Sequence, residues 1–210
     1  MPKNADNIKL SILILSIPTR FEIFKILVDK LMGQIGDRED VEILSLMDNK
    51  SLHIYDKRNQ LMKIARGSHL TFLDDDDDVA ETYIERLTQS IEENPTADVI
   101  SFNQFCYLDG KQARVFAKMG NPHEHVLPDP DDPTRFKDTL RPPYHWCVWK
   151  SSLATSEEFR GVFSHGSTGQ SMEDIDWLNR LYPKVKVSVY LVGEWLHIYR
   201  WSPATTESVL

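Results

Sequence analysis

The most constraining feature of this chain is a run of five aspartates, Asp74 to Asp78, directly after the apolar stretch Leu70-Thr71-Phe72-Leu73. Like charges this close repel one another, and burying a carboxylate without a compensating cation is unfavourable. The apolar stretch predicts a strand with the carboxylates at its C-terminal end, where open α/β sheets bind ligands. Clustered oxygen ligands favour Mg²⁺ or Mn²⁺, usually shared with substrate phosphates. We expect a metal site here; a solvated acidic loop is the alternative.

Composition predicts one soluble globular domain. The 210 residues are 41% hydrophobic and 27% charged, which is ordinary for a globular core of this size. The net charge of −8 argues against a nucleic-acid-binding surface, because phosphates are neutralised by basic stripes. Cys106 and Cys147 lack CxxC spacing, so we expect two free buried thiols rather than a zinc or redox site.

Targeting signals and membrane spans are not evident in the sequence. The apolar segment Leu10–Ile17 is followed by Pro18-Thr19-Arg20 without a small-residue cleavage site. No apolar run approaches the roughly 20 residues that cross a bilayer. We expect a cytoplasmic protein without membrane insertion.

The first half of the chain alternates between strand and helix patterns. Such alternation predicts a right-handed, mostly parallel α/β half-domain. The predicted strands are Lys9–Ile17, Val41–Met47, His69–Leu73 and Asp98–Phe105, and the predicted helices are Arg20–Met32 (ended by Gly33), Arg58–Ala65 (ended by Gly67) and 81–93.

The second half is less regular. Residues 107–145 hold six of the eleven prolines, and they predict a hairpin turning at Asp109-Gly110 and then a long excursion. Order is predicted to resume at Trp146–Leu153. A helix is expected at Ser171–Leu181, and two late strands are expected at Val185–Val192 and Trp195–Trp201.

The loops after the first strands suggest how a nucleotide would be bound. The first turn is Ile17-Pro18-Thr19-Arg20, so the glycine loops of dinucleotide and P-loop folds are absent. A diphosphate must then be met by a metal and by side chains. Asp48 is placed to accept a hydrogen bond from a base or a ribose hydroxyl. Arg58 and Asn59 are placed to reach the ribose or a phosphate. The alternatives are a turn or capping role for Asp48 and a solvated surface position for Arg58.

A second carboxylate pair, Glu173-Asp174, follows the loop Gly166–Ser171 and opens an amphipathic helix. Acidic residues in the first turn of a helix also stabilise its dipole, so capping is the alternative role. The functional interpretation is a carboxylate that accepts a proton from an incoming hydroxyl.

Taken together, these motifs resemble the GT-A fold of family-2-like glycosyltransferases. The similarity covers most of residues 9–201 and is strongest from 9 to 105. A narrower resemblance, to glycosyltransferase domains of large DNA viruses of the chlorovirus type, rests on overall similarity. The motifs that carry the main resemblance are Pro18-Thr19-Arg20, Asp48, Lys57-Arg58-Asn59, Ala65-Arg66-Gly67, Phe72 to Asp77 and Met172-Glu173-Asp174.

The resemblance implies roles for the acidic residues. In the family, "DXD" carboxylates bind a divalent metal, Mn²⁺ or Mg²⁺, and the ribose of a nucleotide-sugar. By position Asp76 is the metal ligand and Asp75 or Asp74 faces the ribose, with Asp78 a rival ligand because the run makes the register ambiguous. Asp174 takes the role of catalytic base.

Further residues follow from the same resemblance. Glu173 would orient the acceptor, and Pro18, Thr19, Arg20, Asp48, Arg58 and Asn59 would contact the nucleotide. His197 matches a late histidine that touches metal or diphosphate, with a structural histidine as the alternative. Tyr144, Trp146 and Trp149 would either stack on sugar rings or belong to the core.

The expected protein is a single α/β GT-A domain over residues 1–210. Residues 1–105 would bind the nucleotide-sugar, 106–201 would hold the acceptor and the base, and 202–210 would be a tail or linker. Because this polar C-terminal segment resembles an interdomain linker, we also expect that the domain comes from a longer polypeptide.

The expected reaction is an inverting, metal-dependent hexosyl transfer. A UDP-sugar of glucose or rhamnose type would donate to a hydroxyl of a glycan or glycoprotein. The rivals are a haloacid-dehalogenase-like phosphatase, which needs its nucleophile loop usually after the first strand, and a sugar nucleotidylyltransferase, which needs a Gly-rich loop there. A non-enzymatic Ca²⁺-binding or lectin-like module is disfavoured because EF-hand spacing is absent.

Overall fold

The computed structural model describes residues 7–108, 110–162 and 172–201. In these ranges strands and helices alternate as far as residue 108, as the sequence predicts. Short 3₁₀ turns lie at Pro18–Arg20 and Tyr182–Lys184. The strands are β1 (Leu10–Ser16), β2 (Val41–Met47), β3 (His69–Asp74), β4 (Asp78–Val79), β5 (Val99–Leu108), β6 (Lys111–Ala117), β7 (Thr139–Arg141), β8 (Val148–Lys150) and β9 (Ser188–Trp201); the helices are α1 (Phe21–Ile35), α2 (Ile54–Ile64), α3 (Tyr83–Glu93), α4 (Ser151–Ala154) and α5 (Glu173–Leu181).

One mixed sheet organises the molecule, in the order β2-β1-β3-β8-β5-β6-β7, and β9 pairs with both β5 and β4. Strands β1, β2 and β3 are parallel, and β8 runs antiparallel to both β3 and β5. All seven residues of β1 are buried, as expected for a central strand covered on both faces. The predicted α/β fold with a mostly parallel central sheet is confirmed.

Two helix boundaries differ from the prediction. Helix α1 continues through Gly33 to Ile35 and ends at Gly36, which adopts a left-handed φ of 53°. Gly33 therefore lowers helix stability without ending the helix. Helix α2 begins at Ile54, so Arg58 lies in its second turn instead of opening it, and Gly67 lies beyond its end at Ile64.

The late strands also differ. The two predicted strands are one, β9, whose pairing with β5 shifts register between Ser101 and Gln104. A bulge thus absorbs the residues that suggested a break. The hairpin of β5 and β6 is confirmed by the pairing of Leu108 with Lys111; Asp109 lies outside the described residues, as do the loop Gly166–Ser171 and residues 202–210.

The N-terminal ends of the parallel strands are joined by a buried polar network. Glu42 accepts hydrogen bonds from Ser11 Oγ (2.7 Å), from the Arg66 amide (2.7 Å) and from the Arg66 guanidinium (2.6 and 2.9 Å). The Gly67 amide donates to Ser11 Oγ at 2.8 Å. A Cβ on Gly67 would lie 2.6 Å from the carbonyl oxygen of His69, so this approach requires glycine.

Both cysteines are free and buried, as predicted, and burial raises the pKa of Cys106 to about 11 and that of Cys147 to about 12. Among the helices of the described ranges, none has the length and apolar character needed to cross a membrane.

Candidate active site

A cavity of about 780 Å³ opens at the C-terminal ends of β1 and β3. Its size suits a nucleotide-sized ligand. Three parts of the first half form one wall: the end of β1, the segment before and within α2, and the aspartate run. Residues from the second half form the remaining wall. The lining residues are Leu15, Ser16, Ile17, Arg20, Lys50 to Tyr55, Lys57, Arg58, Asp74 to Asp77, Gln104, Cys106, Leu108, Val126, Arg141, Tyr144 to Trp146, Glu173, Asp174, His197 and Tyr199.

The aspartates are not a solvated loop. The side chains of Asp75, Asp76 and Asp77 are only 3%, 12% and 2% exposed. Arg20 Nη2 lies 3.0 Å from Asp75 Oδ1 and 2.5 Å from Asp76 Oδ2. Ser16 Oγ donates to Asp75 Oδ2 at 2.7 Å. The 3₁₀ turn at Pro18–Arg20 delivers Arg20 to the cavity, whereas Pro18 and Thr19 do not line it.

Negative charge exceeds the nearby positive charge in this cluster. Burial and the neighbouring Asp74 raise the pKa of Asp76 to about 7 against the opposing effect of Arg20. Burial also raises the pKa of Asp75. Asp77 Oδ1 is buried without a hydrogen-bond partner in the described residues. These features are those of carboxylates that fit a bound cation.

The cluster is not a preformed metal cage. Among the described residues, no group of three or more His, Cys, Asp or Glu side chains is arranged to hold a metal ion. Magnesium and manganese sites commonly use one or two carboxylates, with water and substrate phosphates completing the shell. The chemistry of the donor set therefore fits an ion that arrives with a phosphorylated ligand.

Asp77 and His197 form a buried contact that extends the cluster. His197 Nε2 lies 3.0 Å from Asp77 Oδ2, and the Gln104 amide nitrogen lies 2.8 Å from His197 Nδ1. The ring stacks on Trp146 at 4.9 Å with an interplanar angle of 2°. His197 is thus on the cavity wall, as predicted, with Nε2 directed at a carboxylate; its contact with a metal or diphosphate stays a prediction.

Asp78, the predicted rival ligand, lies apart from the other aspartates. It begins β4 and pairs with Ile198 of β9. Its carboxylate binds Lys30 Nζ at 2.9 Å and Arg200 Nη2 at 3.3 Å, and it does not line the cavity. The backbone of β4 turns this side chain away, which disfavours Asp78 as a ligand.

Arg58 is a buried cation, 2% exposed, and not a surface arginine. Its guanidinium lies 5.3 Å from the ring centroids of both Phe72 and Phe159. It lies 3.5 Å from Asp74 Oδ1 and 3.8 Å from Glu173 Oε1. Burial lowers the pKa of Arg58, but the adjacent carboxylates outweigh it and raise the value. Arg58 therefore links the two acidic motifs.

Besides Pro18 and Thr19, two further predicted nucleotide contacts are not brought to the cavity. Asp48 forms an ion pair with Lys57 and accepts from the Leu52 amide at 2.8 Å, so it shapes the loop before α2. Burial would raise the pKa of Asp48, yet Lys57 and these hydrogen bonds lower it to about 2. Asn59 exchanges hydrogen bonds of 2.8 and 2.9 Å with the backbone of Phe159.

The second acidic motif faces the first across the cavity. Asp174, in the first turn of α5, accepts from the Ile175 amide at 2.7 Å through Oδ1, while Oδ2 lies 3.4 Å from His145 Nδ1. Burial would raise the pKa of Asp174, but His145, Arg58 and the Ile175 amide lower it to about 2. Glu173 beside it is buried and lines the same cavity.

The three aromatic residues that were predicted either to stack on sugars or to belong to the core do not all lie in the same place. Trp149 is fully buried and packs edge-on against Trp177, so it belongs to the core. Tyr144 and Trp146 line the cavity. The cavity also contains residues to which the sequence analysis assigned no individual role: Asp77, Lys57, Gln104, Arg141, His145 and Tyr199. Asp77 and Lys57 lie within recognised motifs, and His145 lies between Tyr144 and Trp146. The other three had no signal in their local sequence.

The family model for glycosyl transferase family 2 matches residues 27–145, more than half of the chain. The chain belongs to this family. Membership of this family favours the glycosyltransferase prediction over the phosphatase, the nucleotidylyltransferase and the Ca²⁺-binding module. No curated protein matches the sequence of this chain.

Similar solved structures show the same fold. The structure of S. aureus TarS 1-349 in complex with UDP-GlcNAc has a TM-score of 0.63 at 14% identity, covering 96% of this chain and 60% of that one. TarS 1-349 in complex with UDP gives 0.64 at 15% identity, covering 93% and 61%. This chain therefore spans about 60% of those TarS chains. Its narrower resemblance to viral domains stays a prediction.

Proposed function

We propose that this chain is an inverting, divalent-metal-dependent glycosyltransferase that uses a UDP-sugar and a hydroxyl acceptor on a glycan or glycoprotein. The observation that carries the proposal is one cavity that contains both acidic motifs. The cluster Asp74 to Asp77 lies at the end of β3, and Asp174 lies at the start of α5. Arg58 contacts Asp74 on one side and Glu173 on the other.

The UDP moiety is supported by the TarS structures, which are complexes with UDP-GlcNAc and with UDP. The sugar is proposed to be of glucose or rhamnose type, with UDP-GlcNAc as a further candidate. The cavity lacks a glycine cradle, so Arg20 and the aspartate cluster are the features suited to the diphosphate end. The ribose is assigned to Asp74 or Asp75. Asp48 and Asn59 would act indirectly, by holding the wall of the cavity.

Asp76 is the residue proposed to hold Mn²⁺ or Mg²⁺, with the donor's phosphates as further ligands. When bound, such an ion neutralises the charge that develops on a departing diphosphate. Arg20 contacts Asp75 and Asp76 and so fixes both carboxylates before the donor binds. Ser16 fixes Asp75 from the opposite side.

Asp174 is proposed to accept the proton of the acceptor hydroxyl as that oxygen attacks the anomeric carbon. In this single displacement the new C–O bond forms as the bond to the diphosphate breaks, so the configuration inverts. The Ile175 amide holds Oδ1 of Asp174, which leaves Oδ2 for the proton. Glu173, buried beside it, is proposed to help orient the acceptor.

Calorimetry of UDP binding tests two points together: whether binding depends on a metal, and which aspartate of the run binds that metal. We expect tight binding with Mn²⁺, weak binding in EDTA, and weakened binding of both ligands in Asp76→Ala. The matched control is Asp78→Ala, which removes the adjacent carboxylate held by Lys30 and Arg200. Equal UDP affinity in EDTA would contradict metal dependence, and loss of binding only in Asp78→Ala would move the ligand to that residue.

The donor is tested by thermal shift, since a ligand that binds only the native state raises the melting temperature. The panel is UDP-glucose, UDP-rhamnose and UDP-GlcNAc with Mn²⁺, with GDP-mannose as the base-mismatched control. Stabilisation by GDP-mannose alone would overturn the proposed UDP preference. The domain limits 1–210, the cytoplasmic location and membership of a longer polypeptide stay predictions.

A further inference from the structure

Asp174 is surrounded unevenly. Its Oδ1 is occupied by the Ile175 amide, and Oδ2 faces His145 Nδ1 at 3.4 Å. The His145 ring is buried, and its Nδ1 lacks a well-aligned hydrogen bond within the described residues. Buried polar atoms normally have a hydrogen-bond partner. A buried ring nitrogen that is directed at a carboxylate without a well-aligned hydrogen bond therefore needs an explanation.

The backbone holds His145 at this place. The Phe72 amide of β3 donates to the His145 carbonyl oxygen at 3.3 Å, so the residue is anchored to the strand that ends in Asp74. His145 also lines the cavity between Tyr144 and Trp146. It therefore sits where the nucleotide-binding half meets the proposed base.

We propose that His145 is a positioning residue for the base, an inference that rests on the proposed function of Asp174. The neutral ring donates its Nδ1 hydrogen to Oδ2, and the other lone pair of Oδ2 faces the cavity to take the acceptor proton. The 3.4 Å separation shortens when acceptor is bound, as catalytic hydrogen bonds commonly do.

The kinetic experiment follows UDP release from UDP-GlcNAc with Mn²⁺ and water as acceptor. His145→Ala is expected to lower kcat about 100-fold with donor KM unchanged, because the base is misoriented. His145→Asn keeps an N–H near the Nδ1 position and should recover about tenfold of that loss. His125→Asn, which changes an exposed histidine, should leave kcat and KM unchanged.

A purely structural histidine would lower kcat equally in His145→Ala and His145→Asn, so the absence of recovery in His145→Asn overturns the inference. A rise in donor KM that accounts for the lost rate would assign His145 to donor binding and would overturn it as well. If UDP-GlcNAc is not hydrolysed, ¹⁵N NMR of the metal-free protein decides. Asp174→Asn must then shift the ring resonances of His145 and spare those of His125; unshifted His145 resonances reject the inference. Shifted resonances without turnover would fault the proposed function alone.

Discussion

Buried carboxylates occur at both ends of the parallel strands. At one end the carboxylate is fully hydrogen-bonded, and at the other end the carboxylates are crowded by one another. At the N-terminal ends, Glu42 receives hydrogen bonds from Ser11 and Arg66 on both oxygens. Burial would raise the pKa of Glu42, but these donors outweigh it and lower the value. At the C-terminal ends, burial and neighbouring carboxylates raise the pKa of Asp76 to about 7, although Arg20 is in contact.

The difference shows which end is used for binding. A carboxylate whose oxygens are all paired stabilises the fold and has nothing left to offer a ligand. A cluster with surplus charge lowers stability and is retained where a ligand supplies the missing cation. The sheet thus keeps its structural acid at one end and its proposed functional acids at the other.

The largest expected effect is on catalysis at the C-terminal end. Asp174→Asn should lower the transfer rate about 10²–10⁴-fold while donor affinity persists, because a general base is lost. Its free energy of unfolding should fall by at most about 2 kcal/mol, since only a partly exposed carboxylate is removed. Turnover and UDP calorimetry measure both. Asp176→Asn, whose carboxylate is held by Arg180, is the control; loss of rate there instead would relocate the base.

At the N-terminal ends of the strands, a substitution should lower the free energy of unfolding rather than the activity. Glu42→Gln should cost about 2–3 kcal/mol, because hydrogen bonds to a charged group are lost in a buried setting. The pKa of Glu42 is lowered in the folded state, so its contribution is present above the unfolded value and is lost as pH falls. Urea titrations at pH 7 and pH 3 check this against the exposed Glu22→Gln. Reduced UDP affinity in Glu42→Gln would contradict the division between the ends.

Gly67→Ala tests the close approach that supports the same network. A Cβ 2.6 Å from backbone atoms of Ser11 and His69 should cost about 1–3 kcal/mol. Gly33→Ala is the matched control, because it lies inside α1 with open space around it and should gain up to about 1 kcal/mol. Opposite shifts in melting temperature are expected, and equal shifts would reject the steric argument.

The smallest expected effect is a gain in stability at the functional end. In EDTA, Asp76→Asn should stabilise the protein by about 1–2 kcal/mol at pH 8, because it removes an ionised carboxylate from a surplus of negative charge. The folded pKa is raised to about 7, so wild-type stability falls between about pH 4 and pH 7 and the gain grows over that range. Exposed Asp29→Asn should show no such trend. Destabilisation of Asp76→Asn at pH 8 would remove the contrast between the ends.

Local sequence decided the elements that carry the site. Contiguous apolar residues predict β1, β2 and β3 within one residue of their ends, because a buried parallel strand needs an uninterrupted apolar run. The strand His69–Asp74 also placed the aspartates at the ligand-binding edge. The Glu173-Asp174 pair was recognised by its position at the start of a helix.

Tertiary structure decided which side chains meet. Asp77 turns inward because its amide bonds back to Asp74, and Asp78 turns outward because β4 pairs with β9, about 120 residues later in the chain. The Asn59 side chain is hydrogen-bonded to the backbone of Phe159, which lies 100 residues later in the chain. Local patterns fix hydrogen bonding along one strand or helix, whereas the partners of a polar side chain depend on contacts between distant segments. The sequence by itself therefore determined the fold and its acidic motifs, and only packing set His145 against Asp174 and removed Asp48 and Asn59 from the cavity.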